Sequence, residues 1–190
     1  MIGKIFITSS GYDPEFGRHV HDPYLGPRPT LGACRPDIRR QLKEGDHIFV
    51  ISGKVPRVNQ YVMAGFEIDA KVGAMEAYQM FPELRLRKRA DGQLTGNIIV
   101  DANGKQHKLD DHDAFDKRIR NYVVGRNPLI LSTLDEIAEG RRQTMEALCD
   151  ILQTRGDTPI EVVGRWGKKL TEKQILQLRE WLESLKVTVQ

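Results

Sequence analysis

Two apolar runs, HIFVIS (47–52) and QYVMAGFEIDAKV (60–72), are joined only by the turn GKVPRVN. A link this short folds the second run back on the first, because a parallel partner would need a crossover of a dozen residues or more. The second half of the longer run alternates cleanly. Phe66, Ile68, Ala70 and Val72 fall on one face, and Glu67, Asp69 and Lys71 on the other. That is the pattern of an antiparallel strand with one wet side.

The rest of the chain is arranged around this pair. Ile2–Thr8 is short, mostly apolar and β-branched, and reads as a first strand. Between it and HIFVIS lies SSGYDPEFGRHVHDPYLGPRPTLGAC (9–34), a connection of the length that is usually functional in a compact domain. Pro14, Pro23, Pro27 and Pro29 each fix their own φ and stiffen it. A short helix is expected from Pro36, with Asp37 at its positive end, Ile38 and Leu42 as its buried stripe and Gly45 as its left-handed terminator.

Downstream, AMEAYQMF reads as a helix ended by Pro82. GNIIVDANGKQHKL reads as two short strands about Asn103-Gly104, HDAFDKRIRNY as a helical turn and YVVGRNPLILS as extended chain. From Leu134 the texture changes. Leu134, Ile137, Arg141, Met145, Leu148 and Leu152 keep the spacing of an amphipathic helix, interrupted at Gly140. After a turn over 156–167, Thr171 and Gln174 make a capping box, and Ile175, Leu178, Leu182 and Leu185 line a last helix. The expected fold is α+β: a mixed, mostly antiparallel sheet of about five or six strands with short inserted helices and a C-terminal helical hairpin. Residues 1–133 form the expected core and 134–190 a helical extension packed on it. Repeated βαβ units are missing from the pattern, which argues against a Rossmann-type fold.

With 39% hydrophobic and 29% charged residues the chain has the composition of a globular protein. No apolar run approaches the ~20 residues of a membrane span, and MIGKIFITSSG lacks the basic and apolar regions of a signal peptide. A cytoplasmic protein with no membrane partner is expected. Cys34 and Cys149 are then free thiols. The net charge of +3 is a mild excess. The cations gather at Arg35, Arg39, Arg40 and Lys43, at Arg85–Arg89, at Arg118, Arg120 and Arg126, and at Arg165, Lys168 and Lys169. Such clusters can track phosphates where folding brings them to one face.

Candidate chemistry concentrates before the Pro36 helix. His19, His21, Asp22 and Asp13 lie close in sequence, but His107 and His112 have no standard ligand spacing, so no metal and no cofactor are expected. Asp110, Asp111 and Asp113 read as solvated charge. No G-x-S-x-G, Walker or G-x-G-x-x-G motif occurs. Cys34, beside Arg35 at a helix start, is the best nucleophile by position, since dipole and guanidinium would depress a thiol pKa. Anion binding is the stronger reading. Arg35, Arg39 and Arg126 would contact phosphates, Tyr12, Phe16, His19 and Tyr24 would stack on a base or sugar, and Ser52 and Asn59 would read polar edges.

CRPDIRRQLKEGDHIFVISG followed by QYVMAGFEIDAKV resembles the nucleotide modification associated domains of phage and bacteria. The resemblance rests on Cys34, Pro36, Ile38, Arg39, Gly45, Asp46 and Ala64, with YVVGRNPLILST similar to their second extended segment. More distantly, GDHIFVIS with VMAGFEIDAKV is similar to the small β-barrels of the PUA, ASCH and EVE type. The resemblance covers residues 1–133 and implies recognition or processing of a modified base in DNA, on a PUA-like core. It transfers no catalytic residue. Three functions follow as expectations: a DNA- or nucleotide-binding module with a basic, aromatic-lined pocket; an enzyme acting on a nucleotide or base with Cys34 or His19 at the reacting centre; and a homodimer through the C-terminal helices, with Trp181 beside an exposed leucine stripe.

Overall fold

The computed structural model describes residues 1–187. In chain order its elements are β1 (Gly3–Ile7), β2 (Thr30–Leu31), α1 (Pro36–Gln41), β3 (His47–Ile51), β4 (Val62–Val72), α2 (Ala74–Met80), a 3-10 turn (Pro82–Leu84), β5 (Arg87–Lys88), β6 (Leu94–Thr95), α3 (Phe115–Arg118), β7 (Tyr122–Ile130), α4 (Leu134–Leu152), α5 (Pro159–Val163), β8 (Lys168–Leu170) and α6 (Glu172–Val187). The fold class is α+β with a mixed, mostly antiparallel sheet, as the sequence suggested: β1 runs parallel to β3, while β1–β8, β2–β7 and β3–β4 are antiparallel.

The chain forms two compact units. One comprises residues 1–20, 45–67 and the chain from Asn127 onward; the other comprises residues 21–44 and 68–126. Residues 134–187, read from the sequence as an extension, thus belong to the unit that contains β1 and β3.

In the first unit the strands lie in the order β4-β3-β1-β8. Phe49 stands directly across from Gly65, and the glycine is needed there: a Cβ would fall 2.5 Å from the Phe49 ring and 3.4 Å from Leu182. The aromatic ring covers the glycine, and α6 closes over both through Leu182, with Ile175 reaching Gly3. Ile175, Leu178, Leu182 and Leu185 are all buried. The stripe expected to remain open for a dimer is therefore covered within the chain, and Trp181 is half-buried with its Nε1 donating to Gln143 Oε1 at 3.2 Å.

α4 starts at a capping box, Thr133 with Glu136, and buries Ile137, Gly140, Thr144 and Leu148. Gly140, an apparent interruption, is a contact point, because a Cβ would meet Leu131 at 2.6 Å and the Tyr61 ring at 3.2 Å. Between α4 and α6 the expected turn is more ordered than the sequence suggested. It contains α5 and β8, and β8 extends the sheet beside β1. KKL is too short and too polar to carry a period-2 signal.

The second unit holds a cluster of Ala77, Phe81, Leu84, Ile98, Val100, Tyr122 and Val124. The turn at Asn103-Gly104 forms, with Gly104 N–H donating to Asp101, but the two strands expected to flank it reduce to one bridge, Val100 with Gln106. α1 ends at Gln41, earlier than expected. Gly45, at φ +81°, shapes the turn into β3 instead of capping the helix.

Replacing Gly65 by Val should lower unfolding stability by about 1–3 kcal/mol, the usual cost of overpacking a filled core. Denaturant titration followed by circular dichroism reads this directly.

Candidate nucleic-acid interface

Because β1 and β3 are parallel, the segments that follow them, 8–20 and 52–60, leave the same end of the sheet. They are tied together by backbone bonds: Gly11 N–H to Lys54 O at 3.0 Å, Gly53 N–H to Tyr12 O at 2.6 Å and Thr8 N–H to Ile51 O at 3.0 Å. The first is folded on itself, with Arg18 N–H donating to Gly11 O and Asp13 N–H to Arg18 O. It is a compact Ω-type loop, not a floppy connection.

Arg141 of α4 fastens both segments. Its guanidinium holds the Asp13 carboxylate with two bonds, at 2.8 and 3.1 Å, reaches Glu15 at 3.2 Å and donates to the Asn59 carbonyl at 2.6 Å. The same group lies 4.5 Å from the Tyr61 ring centroid and 5.1 Å from that of Phe16. Asp13 is only 1% exposed and also accepts from the amides of Glu15 and Phe16. Burial pushes its carboxyl pKa up, but the Arg141 guanidinium and the Phe16 and Glu15 amides outweigh that and hold it below its ordinary value.

This frame presents a distinctive surface. Phe16 is 56% exposed although its loop is pinned beneath it. Arg18, His19, Lys54 and Arg57 are exposed on the same two segments. Arg57 follows Pro56 with φ +64°, and Val58 N–H donates back to Val55 O. A positive φ in the residue after such a proline is ordinarily supplied by glycine or asparagine. An arginine there carries a local backbone cost.

The other expected site residues in this unit take different parts. Tyr12 has its ring under the Arg18 guanidinium, 4.5 Å from the centroid. Ser52 is fully buried, its hydroxyl accepting from Tyr61 N–H, so it supports the segment instead of reading a ligand. Asn59 is exposed, and its carbonyl is held by Arg141.

In the second unit the segment Gly32–Cys34 is gripped from both sides. Asp22 accepts the amides of Gly32, at 2.8 Å, Ala33, at 2.9 Å, and Cys34, and also the Asn97 side-chain amide. Arg39, expected to touch phosphate, is instead completely buried. It donates to the carbonyls of Ala33, Cys34, Arg118, Arg120 and Asn121. A guanidinium so used has no donor left for a ligand. Arg35 forms a two-bond pair with Asp37 at 2.7 and 3.0 Å.

Cys34 is half-buried. Burial, and then the Asp22 carboxylate, push its thiol pKa well above the ordinary value despite Arg118 and Arg39. This is the reverse of the thiolate activation expected from the helix start. Tyr24 packs against the Phe81–Tyr122 cluster, and Arg126 lies 3.3 Å from Asp69. Asp110, Asp111 and His112 bring ligand atoms within 4.8 Å of one another. Asp110 is not the solvated charge expected, since it is engaged by His112 Nδ1 at 2.6 Å and by Gln106 at 2.8 Å.

No family model, curated protein or solved structure matches the chain. The functional reading therefore rests on the geometry above.

The sequence did not single out Arg141 as a functional residue, although a signal was present: a charged residue on the apolar stripe of an amphipathic helix. Two outcomes follow. Arg39→Met, which takes the Arg39 donor from the carbonyls of Cys34, Arg118, Arg120 and Asn121 and leaves Ala33 only its bond from Arg118, should cost about 3–5 kcal/mol of stability in denaturant titration, and Arg39→Lys should not restore it, since one ammonium cannot span that fork. The Asp13 clamp, having a lowered carboxyl pKa, contributes stability that is complete above about pH 4 and is lost as pH falls through the depressed folded value. The amide signals of Glu15 and Phe16 should therefore stay fixed by NMR from pH 7 to about pH 5 and shift only in stronger acid.

Proposed function

We propose that the protein binds nucleic acid or nucleotides through the paired segments 8–20 and 52–60. The observation that carries this reading is an exposed aromatic ring held on a rigid frame among exposed cations. Phe16 supplies a stacking surface, and Arg18, His19, Lys54 and Arg57 supply charge for phosphate. Stacking on an aromatic side chain contributes about 1–3 kcal/mol per base and tolerates any base. Salt-sensitive phosphate contacts supply the rest. The strained backbone at Arg57 supports a ligand-directed role for its side chain, because glycine would fold better there.

The Asp13–Arg141 pair is too fully engaged to be a general acid or base. Its role is to keep Phe16 in place. Asn59, exposed on the same segment as Lys54 and Arg57, would read a base edge. Selectivity for a modified base, which the resemblance to nucleotide modification associated domains implies, belongs to this same reading.

The test uses a fluorescein-labelled single-stranded oligonucleotide about twelve bases long, within the usual site size for such surfaces. Phe16→Ala should weaken binding roughly tenfold or more. Arg57→Gly should weaken it and reduce the slope of log K against log salt by about 0.7, with no loss of thermal stability. Equal Kd values for wild type and both variants, or binding indifferent to salt, sink the proposal. A plain and a base-modified oligonucleotide compared at one salt concentration test the selectivity.

A further inference from the structure

The first unit carries a second aromatic and basic feature at the same end of the sheet. β8 is antiparallel to β1, with Ile5 opposite Lys168 and Lys4 opposite Lys169. The residues just before β8 therefore lie at the carboxyl end of β1, the end from which segment 8–20 emerges. Trp166 sits there and is 73% exposed. Its turn is rigid: Gly167 N–H donates to Gly164 O at 3.1 Å, both glycines have φ +76°, and a Cβ on Gly167 would fall 2.5 Å from the Ile5 carbonyl. The turn holds most of the ring out in solvent, where a base could stack on it.

Basic residues lie on the same turn and on the strand pair that follows it. Arg165 is exposed with its guanidinium 5.9 Å from the Trp166 ring centroid, the outer limit of a cation–π contact. Lys4 and Lys169 face each other across the β1–β8 pair, and like charges in directly opposed positions destabilise a sheet. Gly3 points at Ile175 of α6, so Lys4, one residue on, points to the opposite face. A polyanion would neutralise this pair, and a base would cover the ring.

We infer that Trp166, with Arg165, Lys4 and Lys169, is a second contact for single-stranded nucleic acid, so that the ligand is a polynucleotide strand and not a mononucleotide. Strands in a sheet are about 4.8 Å apart, so β3, β1 and β8 place the 52–60 turn, the 8–20 loop and the Trp166 turn in a row along one rim. A strand of several nucleotides would stack one base on Phe16 and another on Trp166. This inference rests on the proposed function and deepens it.

The experiment compares three proteins, wild type, Phe16→Ala and Trp166→Ala, against the twelve-base-range oligonucleotide above and against a nucleoside monophosphate, with circular dichroism confirming the fold. Phe16→Ala should weaken both ligands. Trp166→Ala should weaken the oligonucleotide roughly tenfold and leave the monophosphate unchanged, with Trp166→Phe restoring most of the loss. If Trp166→Ala leaves the oligonucleotide Kd unchanged while Phe16→Ala raises it, the second contact is overturned and the proposed function stands. If neither ligand binds wild type, both fall. Binding of anionic lipid vesicles that Trp166→Ala abolishes, with no change toward the oligonucleotide, also overturns the inference.

Discussion

The position of the candidate site depends on one guanidinium. Arg141 joins the Asp13 carboxylate, Glu15 and the Asn59 carbonyl, and its flat faces meet Phe16 and Tyr61. Segments 8–20 and 52–60 have no sheet or helix of their own. Without this junction they would be held only by a few backbone bonds. A lysine could not replace it, since one ammonium cannot grip a carboxylate with two parallel bonds and stack on rings as well. Loop order here is bought by helix α4, which presents Arg141 from a rigid element. That is the arrangement expected of a binding surface that must not reorganise when a ligand arrives.

The second unit uses the same physics for another purpose. Asp22 collects three successive amides of Gly32–Cys34, and Arg39 collects the carbonyls on the same stretch and on 118–121. Opposite charges bind the two sides of one peptide segment, so its three amides and the Ala33 and Cys34 carbonyls are all satisfied. One of the three arginines expected to contact phosphate is thus wholly committed to the fold. The Cys34 thiol beside this stretch is raised well above its ordinary pKa by burial and then by the Asp22 carboxylate, which outweigh the positive charges of Arg118 and Arg39.

Much of the architecture was legible in the sequence because it depends on local patterns. The period-2 alternation from Phe66 to Val72, the 3–4 spacing of Ile175, Leu178, Leu182 and Leu185, and the Thr171–Gln174 cap each act over a few residues. β8 was not legible, since KKL is a strand only because β1 offers it an edge; α5 was missed although Thr158, Pro159 and Glu161 carry the signature of a helix start. The site was legible in type but not in membership. Phe16 and His19 could be nominated because aromatics and cations in a stiff loop are informative on their own. Arg141 acts on Asp13 across 128 positions, and no local pattern reports such a pair. Arg57 stood inside a turn recognised only as a turn, and its positive φ is a property of the folded chain.

The proposed binding requires a base to stack on Phe16. The most direct measurement is an NMR titration of protein carrying labelled phenylalanine rings with the single-stranded oligonucleotide. Stacking should produce upfield ring-current shifts of the Phe16 ring, with amide changes confined to 9–20, 53–59 and the Trp166 turn. A Phe16 ring whose resonances stay fixed while the oligonucleotide is bound would contradict it.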